Sequence, residues 1–164
     1  MNAGYIEKGR YDLVRKNLTD ELRANNAYRK AFTSIADKFL EKKQIRRAHE
    51  YYLVAIKLDP DSEYLLNTLG WLEAASAVEG IRNPKQAIKY ARRACELSEN
   101  KKPEFLDTLA VAYAARGEFK NSIETAQKAI KIANSEENTA LAQRIQARLE
   151  LYKAEKTYLD PDLN

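Results

Sequence analysis

Two half-patterns alternate three times along the chain, and no other feature limits its fold as strongly. The first half is a large apolar residue, a second one three positions on, a small residue beside it, and usually an aromatic three further. It reads Phe32, Ile35, Ala36, Phe39, then Leu66, Leu69, Gly70, Glu73, then Leu106, Leu109, Ala110, Tyr113. The second half spaces mostly small residues by four and three: Ala48, Tyr52, Ala55, then Ala87, Ala91, Ala94, then Ser122, Ala126, Ala129. From the small residue of one half to that of the next is 12 positions in the first and third copies and 17 in the middle copy, Gly70 to Ala87. The five extra residues fall within Ala77 to Asn83, where a loop is expected. Spacings of three and four put residues on one face of a helix. Small residues facing each other let two helices approach closely. One such hairpin cannot bury its apolar face alone, so the copies must stack.

The pattern resembles the tetratricopeptide repeat, a helical hairpin of about 34 residues. The resemblance implies an all-α, right-handed α-solenoid of helix-turn-helix units with a C-terminal capping helix. On this reading, residues 1–28 are the second helix of an earlier, partial repeat. Repeats follow over 29–62, 63–102 with the five-residue insertion, and 103–136, and 137–164 form the capping helix and tail. Tyr5, Gly9, Val14, Leu18 and Asn26 stand at the spacings of Tyr113, Gly117, Ser122, Ala126 and Asn134, which places the start of the sequence inside a repeat. A helix over Tyr11 to Ala24 would then leave Leu13, Val14 and Leu18 partly uncovered and open to self-association. At the other end, Leu141, Ile145, Leu149 and Tyr152 give the capping helix one apolar face, and Pro161 breaks the tail. The stretch RLELYKAEKTYLD, Arg148 to Asp160, resembles the ends of many bacterial repeat proteins. It implies the C-terminal repeat region of a larger bacterial protein.

Local signals agree with seven principal helices and no sheet. Asp61 and Ser62 can cap the helix opening at Glu63, Asn83 precedes Pro84 at a first helical position, and Gly117 marks a helix end. Lys102, before Pro103, is a poor cap. An apolar share of 45% suffices for a core, and the longest apolar run, Leu109 to Ala115, is seven residues, too short to span a bilayer. The net charge of +4 permits an anionic partner without requiring one.

Chemistry finds little support. The single cysteine, Cys95, excludes an intrachain disulfide and reads as a small packed hydrophobe. It fits cytoplasm or periplasm equally. The single histidine, His49, lies in the run KKQIRRAHE and reads as a surface residue without a catalytic partner. No metal set, phosphate loop or cofactor motif is present in the sequence, and the expectation is a non-catalytic scaffold that binds a protein or peptide.

In this family the first helices of the repeats line a concave groove, which puts Lys30, Thr33, Asp37, Tyr64, Asn67, Trp71, Ala74, Glu104, Asp107, Val111 and Ala114 there, with Leu141 and Arg148 from the cap. The main expected contacts are Tyr64, Asn67, Trp71, Asp107 and Val111. Tyr64, Asn67 and Trp71 share a helix face, and Val111 and Ala114 are expected to leave a depression. For Trp71 a second placement is open, under the inserted turn of its own hairpin. Asp37, Glu104 and Asp107 outnumber Lys30, so the expected ligand is neutral or basic. Relatives that clamp the terminal carboxylate of chaperones use lysines, asparagines and an arginine. Thr33, Asp37, Thr68, Glu104 and Thr108 stand at those places, so that clamp is not expected. Two other functions are weighed: a self-associating or regulatory end of a membrane-anchored glycosyltransferase or secretion component, and, more weakly, nucleic-acid binding. The latter would use the convex basic face of Lys42, Lys43, Arg46, Arg47, Lys85, Lys89, Arg92 and Arg93, which lacks interleaved aromatics for base stacking.

Overall fold

The computed structural model describes residues 26–163. Seven helices follow in order: α1 Asn26–Glu41, α2 Ile45–Leu58, α3 Glu63–Ala75, α4 Pro84–Leu97, α5 Pro103–Ala115, α6 Phe119–Ser135 and α7 Thr139–Lys153. A 3-10 turn, Pro161–Leu163, ends the description, and no strand occurs among the described residues. The helix expected over Tyr11 to Ala24, with the partial repeat and any self-association through it, lies outside these residues.

The helix starts follow the sequence signals. Ser62 Oγ accepts from the Leu65 N–H at 3.5 Å, and Asn83 Oδ1 accepts from the Gln86 N–H at 3.2 Å ahead of Pro84. Asn138 Oδ1 accepts from the Leu141 N–H at 3.2 Å. Lys102 has no acceptor to offer and makes no capping bond. Several helix ends, those of α1, α5, α6 and α7 among them, share one geometry that the sequence shows only once. A backbone N–H reaches back five residues, from Gln44 to Phe39, Glu118 to Tyr113, Asn138 to Ala133 and Lys156 to Leu151, at 2.8–2.9 Å. The preceding residue is left-handed each time: Lys43 (φ 55°), Gly117 (83°), Glu137 (59°) and Glu155 (53°).

The recurring small residues sit where helices meet. Ala36, Ala48, Ala87 and Ala110 are fully buried, and Ser122 Oγ donates to the Ala110 carbonyl at 2.7 Å across the α5–α6 hairpin. A Cβ at Gly70 would stand 3.3 Å from both N and Cβ of Ala91 and 3.2 Å from Thr108 Cγ2, so this glycine lets α3 press on α4 and α5 together. Consecutive helices pack on one another, and α3 also packs on α5. The long α3–α4 connection is tucked in: Ile81 is buried, and the Asn83 N–H donates to the Glu73 carbonyl at 2.8 Å. Helix α5 is buried on nearly every side, as an all-round apolar helix must be. The row of first helices is not closed. Helices α1 and α3 scarcely touch, and α7 barely meets α5, which leaves two openings on that face.

Candidate functional site

Tyr64, Asn67 and Trp71 follow one another along α3, and Asn67 and Trp71 border both openings. Tyr64 is half exposed, and its hydroxyl donates to Asp37 Oδ1 at 2.7 Å. The same oxygen receives the hydroxyl of buried Tyr52 at 2.6 Å, so one carboxylate ties α1, α2 and α3. Burial first, then the Asp37 carboxylate, pushes both phenols above their usual range, which keeps them protonated as donors.

Trp71 is half-buried, and its cover is the C-terminal segment of the chain. Beyond the turn at Glu155 the backbone runs back across the inner face. The Trp71 Nε1–H donates to Asp160 Oδ2 at 2.8 Å, and the Tyr158 ring lies 5.8 Å from the indole, centroid to centroid. The Asp160 N–H donates to the Ala75 carbonyl at 2.9 Å, Ser76 Oγ donates to the Leu163 carbonyl at 3.1 Å, and Lys43 Nζ donates to Asp162 Oδ1 at 3.1 Å. Leu163 is buried, whereas Leu159, Pro161 and Asp162 are exposed. The Arg148 guanidinium stands over both the Trp71 and Tyr158 rings, 5.5 and 5.2 Å from their centroids. Its Nε and Nη2 grip the two oxygens of Asp107, a two-point pair that joins α7 to α5. Burial pushes the Asp107 carboxyl above the usual carboxylate range, opposed by the guanidinium facing it.

A cavity lies on each side of the segment. One of about 410 Å³ opens between α1 and α3, lined by Leu40, Lys43, Thr68 and Leu163 among others; one of about 390 Å³ opens between α3, α5 and α7, lined by Glu104, Leu141, Arg144 and Tyr158. Asn67 and Trp71 line both. Asn67 Oδ1 is buried and accepts no hydrogen bond.

Several sequence expectations change here. Val111 and Ala114 on α5 and Ala74 on α3 are fully buried and form the interior behind the groove, offering no surface to a partner, because neighbouring helices cover these faces. Asp107 is 4% exposed and engaged by Arg148, so it borders a cavity without a free charge. The polar and ring contacts of Trp71 are to Tyr158, Asp160 and Arg148. Lys43, read with the convex basic residues, reaches the inner segment. With Asp37 and Asp107 satisfied, the segment resting in the groove is acidic, contrary to the expected preference for a neutral or basic one. His49 is not a free surface residue: its Nε2 lies 2.9 Å from Oε1 of buried Glu73, a polar bridge from α2 to α3 where the repeat pattern expects an aromatic. Cys95 is 1% exposed, and burial pushes its thiol up to about 12. On the back, Arg93 binds Asp61 and Arg92 donates to the Tyr113 hydroxyl.

Sequence reasoning missed the segment itself. Its signal was present: Tyr158, Leu159 and Leu163 are large apolar residues in a stretch that a purely solvated tail would not need.

These features define an all-α solenoid of helical hairpins with two cavities on the face of its first helices. Residues 103–136 match the family model described as tetratricopeptide repeat, and the match together with the stacked hairpins supports a tetratricopeptide-repeat protein. No curated protein matches the chain. Repeats of this family are, as a rule, non-catalytic modules for protein–protein interaction. Among the described residues, no group of acidic, cysteine or histidine side chains is arranged to hold a metal ion, and no helix is long and apolar enough to cross a membrane.

Proposed function

We propose that the chain is a scaffold or adaptor whose groove, centred on Asn67 and Trp71, binds a segment of a partner protein. Repeats over 29–62, 63–102 and 103–136 would supply its first helices, and α7 its far wall. The observation that carries the reading is the buried, unsatisfied Asn67 Oδ1 beside Trp71, at the junction of the two cavities. A buried acceptor without a donor is costly, and a peptide N–H can relieve that cost. Trp71 beside it is the side-chain type that dominates interface energetics. Tyr64 extends the same face toward α1. Asp107 contributes by fixing Arg148 rather than by touching the partner.

The test is the affinity for a partner recovered by pull-down, with folding checked by thermal melts. Truncating a central aromatic typically costs about 2 kcal/mol, so Trp71→Ala should weaken binding roughly 30-fold. Arg92→Ala on the back should leave the affinity unchanged. A folded Trp71→Ala chain that keeps its affinity, with Arg92→Ala losing it, would move the working surface to the convex side.

A further inference from the structure

The groove is occupied by its own chain in the manner of a bound peptide. Three anchors, spaced by two and three residues, face inward: the Tyr158 ring on Trp71 and Arg148, the Asp160 carboxylate on the indole N–H, and the buried Leu163 side chain. Between and beside them Leu159, Pro161 and Asp162 are exposed; Asp162 meets Lys43 at the rim, and its N–H donates to Asp160 Oδ1 at 3.0 Å. The backbone of the segment contributes one N–H to the Ala75 carbonyl and one carbonyl to Ser76 Oγ. Alternating inward anchors with outward residues, plus a few main-chain bonds, is how an extended ligand lies on a protein surface. One charge contact is direct, Lys43 to Asp162; Arg148, paired with Asp107, meets the segment through the Tyr158 ring, and Arg144 lines the adjoining cavity together with Glu104.

We propose that residues 158–163 are a resident occupant of this groove, and that its outside ligand is an extended acidic segment of a partner protein that displaces them. The ligand carries the same anchors: an aromatic residue, an aspartate two positions on, and an aliphatic residue three further. It also presents a donor to Asn67 Oδ1, which the resident segment leaves unsatisfied. That donor gives the incoming segment an interaction its competitor lacks, and only such a differential shifts the equilibrium. A tethered occupant acts at high effective concentration, so the affinity for an outside segment is reduced by the fraction of chains with the groove open. The inference rests on the groove reading above and adds the ligand chemistry and the competition.

The experiment uses the full chain and a fluorescein-labelled peptide, TYLDPDLN, which repeats residues 157–164. It is titrated by anisotropy into the wild type and into Asp160→Ala/Leu163→Ala, whose own segment has lost two anchors. The expected result is binding to the double variant at least about tenfold tighter than to the wild type, with a change in Trp71 emission and no binding of the charge-reversed peptide TYLKPKLN. Should the double variant melt early, Asp160→Ala alone, which keeps buried Leu163, gives the same comparison. A folded variant that binds the peptide no better than the wild type overturns the proposal. Equal binding of the charge-reversed peptide overturns the acidic chemistry. Dimerisation of the double variant or the wild type at rising concentration, with Trp71 emission following it, would make a second copy the occupant and overturn the commitment to a partner protein. If the peptide result fails while Trp71→Ala still weakens partner binding, the groove reading survives and only this inference falls. A folded Trp71→Ala chain with undiminished partner affinity removes both.

Discussion

Individual residues here are held by two kinds of constraint, backbone conformation and burial. The left-handed turn residues Lys43, Glu137 and Glu155 occupy a conformation that costs a side-chain-bearing residue about 1–2 kcal/mol. Glycine removes that cost but loses more entropy on folding, about 0.5–1 kcal/mol. Glu137→Gly should therefore stabilise the protein by about 0.5–1 kcal/mol in denaturant unfolding, and an unchanged or lower midpoint would argue against the left-handed turn. Cys95 is governed by burial: with its thiol pushed up to about 12, almost no thiolate exists at neutral pH. A disulfide reagent should find no reactive thiol in the native chain and one in denaturant. Some of this was legible in sequence and some was not. Gly117 announces its turn, whereas Lys43, Glu137 and Glu155 take the same shape because the helix–helix packing imposes it, and a long polar side chain carries no local sign of that. His49 was misread for a related reason. Its neighbours in sequence are charged, but its partner, Glu73, comes from the next hairpin.

At the scale of helices, the repeat pattern foretold the contacts that matter. Ala36, Gly70 and Ala110 recur because hairpins close around them, and Ser122 even bonds the backbone at Ala110. Ala110→Leu should overpack the α5–α6 hairpin and cost about 1–3 kcal/mol in chemical denaturation, and an unaltered midpoint would contradict the assigned register. The α5–α7 junction works differently. It depends on a buried ion pair, and removing one partner strands the other. Asp107→Ala should lose about 3 kcal/mol or more, while Asp107→Ala/Arg148→Met should recover much of that loss, since no uncompensated charge remains. Thermal or urea melts of the two variants decide it, and a double variant as unstable as the single one would show that the pair does more than cancel charge. The pair itself could not be read from the sequence. Asp107 and Arg148 were each placed on the groove face, but 41 residues separate them and no periodicity links one repeat to the cap.

For the molecule as a whole, stacking alone leaves the first-helix face open in two places, and the chain lays its own segment across the gap. The solenoid and the face formed by its first helices were legible because they repeat. The occupant was not, because it occurs once and has no period. Trp71 reports on all of it: it is the only tryptophan, so a nitrogen-15 correlation spectrum shows a single indole N–H signal. In the free chain that proton is held by Asp160, and Asp160→Ala should move the signal. The most direct measurement is to follow this signal while adding the partner recovered by pull-down. The account predicts that the indole signal shifts to saturation with the partner, together with amides of α3 and of residues 158–163. Saturation of amide changes on the outer helices α2 and α4, with the indole signal unmoved, would contradict it.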